Sequence, residues 1–330
     1  MEKTLQAEEQ QLNDQFNQAQ DALEDIKQNQ DQEESKTTQK VKYYQWDEEM
    51  TDQANSILLQ ETNQMTQEMY AKLEKDAKRN WDIFYKNNKT NFYKDRHYIK
   101  FEFSELSDRI QSIPEEDKTT KYRLLDVGCG VGNGFYPLYR EFQGRLLINC
   151  CDFSPRAVNF VKEHELYKAD EINAHVVDLV NDEIPFEKET ADFGIMLFVL
   201  SAISPENFKS VAQKIYDQMK DDGILYFRDY GKYDLAQLRL AQRGNQKLKD
   251  NFYIRSDKTR AYYFTTDEVK EIFENAGFTQ VENQYHYRLI ENRKDQKKMH
   301  RVWIQAKFQR ISKLDNQSED NKQIEQYDKF

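Results

Sequence analysis

Three glycines stand at alternate positions directly after a short apolar run, in the stretch RLLDVGCGVGNG at positions 123–134. Leu124, Leu125 and Val127 have the composition of a buried parallel strand. The glycines allow a ligand to approach the backbone closely, because no Cβ blocks it. Apolar residues at positions 135, 138 and 142 then recur at helical spacing. Strand, glycine loop and helix in this order begin a nucleotide-binding α/β fold.

The spacing of the glycines indicates the kind of nucleotide. A dinucleotide site has the pattern G-x-G-x-x-G, but the sixth position is Asn133 counted from Gly128 and Phe135 counted from Gly130. The pattern present, G-x-G-x-G after the acidic Asp126, is usual in enzymes that use S-adenosylmethionine (SAM). The alternative is a tight turn between strand and helix that binds nothing. We predict that Gly128 and Gly130 contact a cofactor.

Acidic side chains follow the next two predicted strands. Asp152 ends the second strand, which lies within positions 146–154, and an acidic residue there can accept both ribose hydroxyls of an adenosine cofactor. Asp178 ends the third strand, at positions 172–179, and is a candidate acceptor for the adenine amino group. Its alternative role is to cap a turn. Leu197 and Phe198 lie near the carboxyl end of an apolar fourth strand, predicted at 191–203.

Candidate catalytic residues stand at the end of the fifth strand, predicted at 224–231. Arg228, Asp229 and Tyr230 would form the wall that faces a bound substrate, and Asp229 would favour a positive charge on the product. The alternative is a salt-bridged structural turn. Neither a Ser–His pair nor the spacing of a metal site is evident, so we expect no metal.

Alternating strands and helices predict an α/β, doubly wound, mostly parallel sheet with one antiparallel strand. Residues 1–40 hold ten glutamines and are predicted to be a disordered tail. Residues 41–106 are predicted to form a helical extension rich in aromatic and basic residues, with one helix over 47–76. The enzyme domain is expected over 107–310, with a basic insert at 232–264, and a polar tail over 311–330.

The charge of the chain is uneven. The net charge is −11, but residues 1–40 carry −6 and residues 311–330 carry −2. Three stretches of the remainder are basic, at 72–100, 228–260 and 286–301, and could together bind phosphates. The alternative is ordinary solvated surface. The candidate phosphate contacts are Lys94, Arg96, Arg239, Arg255, Arg260 and Arg293.

The aromatic rings of the extension suit either base stacking or packing on the core. Trp81 and Tyr85 are neighbours on one helical face and could cover a bound cofactor. Three cysteines without a zinc or disulfide pattern suggest a reducing compartment. No apolar run reaches membrane-spanning length and no leader is evident, so we expect a cytoplasmic protein, or a nuclear one.

Seven blocks, in order, carry a resemblance to a known family. They are NWDIFYKNNKTNFYKDRHY (80–98), LLDVGCGVGN (124–133), CCDFSPRAV (150–158), LFVLSAISP (197–205), FRDYGKYDLAQLR (227–239), NFYIRSDKTRAYYF (251–264) and RVWIQAKF (301–308). The chain resembles the methyltransferase-like enzymes that form 3-methylcytidine in tRNA. The first, sixth and seventh blocks lie outside the general methyltransferase core and therefore point to this family.

The resemblance implies a class I SAM-dependent methyltransferase fold and tRNA as substrate, with the cytidine at anticodon-loop position 32 as acceptor. It also implies a protein partner such as seryl-tRNA synthetase, which members of the family often need. Its implied cofactor contacts are Trp81, Tyr85, Gly128, Asp152, Asp178, Leu179 and Leu197. Two alternatives stay open: a SAM enzyme acting on a small molecule or protein, and a non-catalytic RNA-binding scaffold that kept the fold.

Overall fold

The computed structural model describes residues 44–61, 64–291 and 298–311. The predicted Gln-rich tail, residues 312–330 of the C-terminal tail and Arg293 lie outside these residues. The chain divides into two compact units. The glycine-loop unit comprises Asp95–Gly231, Phe264–Tyr285 and the described residues from Ile304 onward. The extension unit comprises the described residues up to Lys94, together with Lys232–Tyr263 and those of His286–Trp303.

A seven-stranded sheet has the order β3-β2-β1-β4-β5-β10-β9. Its strands are β1 (Tyr122–Val127), β2 (Leu146–Asp152), β3 (Ile172–Val176), β4 (Ala191–Leu197), β5 (Met219–Tyr230), β9 (Phe278–Glu291) and β10 (Lys298–Arg310). The pairs β1–β2, β2–β3, β1–β4 and β4–β5 are parallel. Only six residues join β9 to β10, too few for a parallel crossover, so this pair is antiparallel. The predicted fold class is confirmed.

Helices surround this sheet in the glycine-loop unit. They are α4 (Ile99–Glu102), α5 (Ser104–Gln111), α6 (Phe135–Glu141), α7 (Pro155–Lys162), α8 (Phe208–Gln218) and α10 (Thr266–Glu274). Two of these helices start at N-capping residues. The Ser154 side chain accepts the N–H of Ala157 at the start of α7, and Thr265 and Glu268 form a capping box on α10. The buried core lies between helices and sheet and includes Leu124, Phe135 and Phe193.

Three strand predictions in this unit were wrong at one end. The third strand, predicted to end at position 179, ends at Val176. The apolar run predicted as a strand to position 203 stops at Leu197, because Phe198 adopts a left-handed backbone with φ of 60°. The fifth strand, predicted to begin at position 224, begins at Met219 and includes Asp222. There the pairing with β4 shifts register, and the positive φ of Asp222 is typical of a bulge.

The extension unit has its own helices and a small sheet. The helices are α1 (Glu48–Gln60), α2 (Gln67–Lys75), α3 (Ala77–Asn88) and α9 (Leu235–Arg243), and the sheet has the order β6 (Lys247–Lys249), β7 (Phe252–Ile254), β8 (Arg260–Tyr262). The single helix predicted over 47–76 is two helices, because Thr66 caps a new start and Met65 donates its N–H to the carbonyl of Lys247. The described residues contain no helix long and apolar enough to cross a membrane.

Candidate active site

The glycine loop lies at the carboxyl end of β1, and its glycines are structurally required. Gly128, Gly130 and Gly132 all have positive φ, which non-glycine residues rarely adopt. A Cβ added to Gly128 would lie 2.5 Å from both methyl carbons of Val199, in the segment after β4. The loop therefore leaves no room for a side chain at its first turn. The space beside Gly128 is filled by Val199, and contact of the loop with a cofactor stays a prediction.

Asp152 lies at the carboxyl end of β2 and is tied to this loop. Its Oδ2 accepts the backbone N–H of Gly130 at 3.0 Å, and its Oδ1 accepts that of Ser154 at 2.9 Å. Burial raises the pKa of Asp152 to about 6, although the two backbone donors oppose the shift. Its carboxyl group therefore titrates near neutral pH, beside the loop, where a ribose diol could donate to it.

Asp126 is the second buried carboxyl group of the site. Burial raises its pKa to about 7; the positive charge of Arg96 lowers the pKa, and the negative charge of Asp152 raises it further. Its Oδ2 lacks a hydrogen-bond partner among the described residues. This oxygen would lie 2.8 Å from a Cβ added to Gly134, the residue before α6. A buried acceptor without a donor is costly, so it marks a position for a ligand donor or a proton.

Asp178 and Leu179 lie in a turn that follows β3. Oδ1 of Asp178 accepts the N–H of Val180 at 3.0 Å, and its Oδ2 accepts from the Asn181 side chain at 2.9 Å. Asp178 therefore caps its turn, as the alternative interpretation stated, and its contact with a cofactor stays a prediction. Leu179 is buried.

Lys214 of α8 holds the same turn, and this role of the lysine was not predicted from the sequence. Its Nζ donates to the carbonyl oxygens of Leu179 at 3.1 Å, Val180 at 3.1 Å and Asp182 at 2.7 Å. All three ammonium hydrogens can thus be used on one turn. Nothing in the sequence marks this lysine, because its partners are backbone atoms more than thirty positions away.

The ends of β4 and β5 carry an aromatic group beside the glycine loop. Leu197 is buried, and the half-buried ring of Phe198 lies 5.0 Å from that of Tyr230, centroid to centroid. The guanidinium carbon of Arg96 lies 5.1 Å from the centroid of Phe198. The structure thus brings Tyr230 and Arg96 together, although the sequence placed them in different roles.

Arg228 and Asp229 are fully buried. Nη2 of Arg228 donates to Glu102 at 2.7 Å and also contacts Gln305, and its guanidinium carbon lies 4.7 Å from the centroid of the Tyr98 ring. This geometry favours the salt-bridged alternative for Arg228. The carboxylate of Asp229 accepts the N–H groups of Ser201 and Tyr230, each at 2.9 Å, and so ties the segment after β4 to the end of β5.

Trp81 and Tyr85 lie on α3 in the extension unit. Their ring centroids are 6.2 Å apart, and both rings contact Phe84 at 5.2 Å and 5.4 Å. Tyr85 is buried and Trp81 is half-buried. The rings therefore form a local cluster, and their contact with a cofactor stays a prediction.

The candidate phosphate contacts have different environments. Lys94 and Arg239 are exposed. Arg255 is half-buried and contacts Thr259, whereas Arg260 is buried against Glu74 and the ring of Phe252. The side chains in the described ranges contain no cluster of three or more His, Cys, Asp or Glu residues that could hold a metal ion.

The donor set of the loop fits SAM. Asp152 offers a carboxylate for a ribose diol, and Oδ2 of Asp126 has no hydrogen-bond partner among the described residues. Two carboxyl groups that can be anionic also suit a cationic cofactor. The residues present therefore match the chemistry that the glycine spacing predicted.

Comparison with known proteins gives consistent results. A family described as a methyltransferase domain matches residues 96–283. The tRNA N(3)-cytidine methyltransferase METTL6 of Mus musculus is 42% identical over 244 residues, which cover 73% of this chain and 84% of that protein. The tRNA(Thr) (cytosine(32)-N(3))-methyltransferase of Saccharomyces cerevisiae is 37% identical, over 80% of this chain and 42% of that protein. O-methyltransferase 3 of Dictyostelium discoideum is 32% identical, over 84% and 79%.

Proposed function

Since the chain belongs to the family of tRNA N(3)-cytidine methyltransferases, we propose that it methylates N3 of a cytidine in tRNA. The single observation that carries the proposal is the 42% identity to METTL6 of Mus musculus across most of both chains. The name of the Saccharomyces cerevisiae relative further favours position 32 of the anticodon loop as the acceptor.

The reaction requires positioning more than proton transfer. N3 of cytosine has a lone pair at neutral pH, so it can attack a methyl group without first losing a proton. SAM, when bound, supplies that methyl group on a cationic sulfur. The protein must then hold the acceptor in line, exclude water and tolerate the positive charge that passes to the base. N3 lies on the pairing edge, so the base must be unpaired and turned out of its loop.

Residues of the glycine-loop unit are suited to these tasks. Asp152 would hold the ribose hydroxyls, and Asp178 and Leu179 would line the adenine side. Asp229 ties the segment after β4 to the end of β5 through the N–H groups of Ser201 and Tyr230, and its negative charge favours a cationic product. Tyr230 is the member of the predicted acceptor wall whose ring remains half-exposed.

The test is methylation of tRNA followed by nucleoside analysis. The full-length protein is incubated with methyl-labelled SAM and unmodified tRNA, and the tRNA is digested to nucleosides. Labelled 3-methylcytidine is the expected product, and sequencing then identifies the position. Label in any other nucleoside, or none despite SAM binding, contradicts the proposal for the protein alone. A parallel reaction containing seryl-tRNA synthetase tests whether methylation depends on that partner. We expect the methyltransferase to act on tRNA in the cytoplasm or the nucleus.

A second candidate, O-methylation, is favoured by the name of the Dictyostelium discoideum relative. Alkaline hydrolysis of the labelled tRNA distinguishes the two reactions. Methylation of a ribose hydroxyl leaves the base uncharged and makes the adjacent phosphodiester resistant to alkali. Methylation at N3 makes the base cationic and leaves that bond sensitive. An alkali-resistant labelled dinucleotide would therefore replace the first proposal with the second.

A further inference from the structure

Phe198 has a backbone conformation that its side chain disfavours. It follows the last residue of β4 with a φ of 60°, and its N–H donates to the carbonyl of Arg228 at 2.7 Å. A bulky residue in this left-handed region is rare and strained, and such strain is concentrated at functional sites. Glycine would occupy the position without strain, so the ring itself must account for phenylalanine here.

The strained turn directs two side chains to different places. Val199 packs against the first glycine of the loop, with its methyl carbons 2.5 Å from a Cβ added to Gly128. The ring of Phe198 stays half-exposed, at 5.0 Å and 47° from the ring of Tyr230. The ring therefore lies at the carboxyl edge of the sheet, directly beside the proposed cofactor loop. This is the edge at which open α/β sheets bind ligands.

Arg96 is held in place above this ring. Its N–H donates to the carbonyl of Asn133 in the glycine loop at 2.9 Å, and its Nη1 donates to the hydroxyl of Tyr98 at 2.9 Å. Its guanidinium carbon lies 5.1 Å from the centroid of Phe198. A residue held through both its backbone and its guanidinium group is poorly placed to follow an RNA backbone on the surface. Its position instead orients the aromatic ring.

We propose that Phe198 is the surface on which the acceptor cytosine stacks, with Tyr230 beside it and Arg96 as a positioning residue. The inference rests on the proposed function, and it names the part of the site that holds the base. Aromatic rings bind bases through their π faces, largely independently of sequence. Methylation at N3 makes the cytosine cationic, and the negative face of an aromatic ring stabilises that charge. Phe198 would thus bind the methylated base more strongly than the neutral one.

The first experiment compares four proteins in methyl transfer to an anticodon stem-loop RNA. Phe198→Leu removes the ring, Phe198→Gly removes both ring and strain, and Phe198→Tyr keeps the ring. Loss of one stacked base corresponds to about a 5- to 100-fold decrease in kcat/KM. We expect this decrease for the Leu and Gly variants, unchanged SAM affinity, and at least half of the activity for the Tyr variant.

Tyr122→Leu is the matched control. Tyr122 is also half-buried, with Arg109 at 5.7 Å and Phe193 at 5.2 Å from its ring, but it begins β1 at the opposite edge of the sheet. Its replacement should leave kcat/KM unchanged. Because glycine accepts a positive φ, the Phe198→Gly protein should also unfold no earlier than Phe198→Leu. A decrease in SAM affinity equal to the loss of activity would assign Phe198 to the cofactor and overturn the proposal.

A second experiment does not depend on turnover. Pyrrolocytidine, whose fluorescence decreases on stacking, replaces the loop cytidine in the same RNA, and S-adenosylhomocysteine is present. We expect quenching with the wild-type protein and none with Phe198→Gly, at RNA concentrations that saturate both. Equal quenching in the two proteins overturns the stacking role. If the wild-type protein forms no 3-methylcytidine but quenches through Phe198, the proposed reaction fails while base stacking stands.

Discussion

The backbone N–H of Gly130 donates to Oδ2 of Asp152 across 3.0 Å, which ties the glycine loop to the carboxyl group at the end of β2. The carboxyl group that a ribose would contact is therefore the group that holds the glycine loop. A change in its protonation affects both functions at once. Its pKa, raised to about 6 by burial, places that change within an accessible pH range.

We predict that SAM affinity increases as the pH rises through about 6. Ribose hydroxyls need an ionised acceptor, so below this pKa the affinity should decrease by about tenfold per pH unit. The stability of the free protein should change in the opposite direction. A carboxyl pKa above its unfolded value means that the folded state holds the proton more tightly, so stability declines between about pH 4 and 6.

Calorimetric titration of SAM from pH 5 to pH 8 measures the first effect, and thermal unfolding over a series of pH values measures the second. Asp152→Asn should remove the pH dependence of SAM affinity, reduce that of stability and weaken SAM binding throughout. Asp126→Asn is the comparison variant, because burial also raises the pKa of Asp126, to about 7. If the inflection near pH 6 persists in Asp152→Asn and disappears in Asp126→Asn, the titrating group is Asp126.

Gly128→Ala should greatly weaken SAM binding. Comparison with Gly144→Ala separates two effects of the added methyl group, backbone strain and a clash with Val199. Gly128 and Gly144 have φ of 70° and 79°, so alanine is strained at both. An added Cβ would clash with Val199 at Gly128 but meets nothing within 4 Å at Gly144. We expect Gly144→Ala to cost about 1 kcal/mol of unfolding free energy and to leave SAM affinity intact. Gly128→Ala should cost a further ~1–3 kcal/mol because of overpacking.

Urea unfolding and SAM titration of the two variants are the measurements. The double variant Gly128→Ala, Val199→Ala removes the clash and keeps the backbone strain. It should recover part of the lost stability. Equal stability losses at Gly128 and Gly144 would show that contact with Val199 is unimportant.

Local patterns predicted the glycine loop and the position of Asp152 at the end of β2, because the two strands and the turn after the first are encoded within about thirty consecutive residues. They did not predict the end of β4. The apolar pattern predicts that Phe198 continues the strand. Its conformation is instead set by the hydrogen bond from its N–H to the carbonyl of Arg228 on a neighbouring strand. Net charge likewise predicted Arg96 as a phosphate contact, but its environment depends on Asn133 and Phe198, which are distant in sequence.

Lys214→Met should weaken SAM binding without unfolding the protein. The ammonium group holds three carbonyl oxygens of the turn that contains Leu179, and methionine keeps the apolar stem but offers no donor. Loss of hydrogen bonds from a charged donor corresponds to about 1.5–3 kcal/mol. We expect SAM affinity to decrease by about tenfold or more.

Lys188→Met is the matched control for this prediction. The Lys188 ammonium group lies 3.1 Å from the carboxylate of Asp217, and this ion pair is on the surface. Exposed pairs contribute little, so both stability and SAM affinity should stay within about 0.5 kcal/mol of wild type. Equal SAM affinity in the Lys214 and Lys188 variants would show that the turn does not need the ammonium group.

Arg228→Lys and Asp229→Asn should separate a structural role from a reacting one. Lysine cannot reproduce the contacts of Arg228 with Glu102 and Gln305, so breaking this buried network should cost about 3 kcal/mol of unfolding free energy. Asp229→Asn keeps the shape and removes the charge, so turnover should fall much more than SAM affinity. Denaturant unfolding, kcat and SAM titration of both variants are required. Equal losses of turnover and SAM affinity in Asp229→Asn would contradict its role toward the base.

Arg239→Ala should flatten the salt dependence of tRNA binding, because Arg239 is an exposed cation on α9. Loss of one phosphate contact reduces the slope of log K against log salt by about one unit. Arg260→Gln is the control: Arg260 is buried against Glu74, so its loss should lower stability and leave the slope unchanged. The measurement is tRNA affinity between about 50 and 200 mM salt. A slope unchanged in Arg239→Ala removes that residue from the RNA contacts, and a slope reduced in Arg260→Gln would mean that its guanidinium binds phosphate despite its partner.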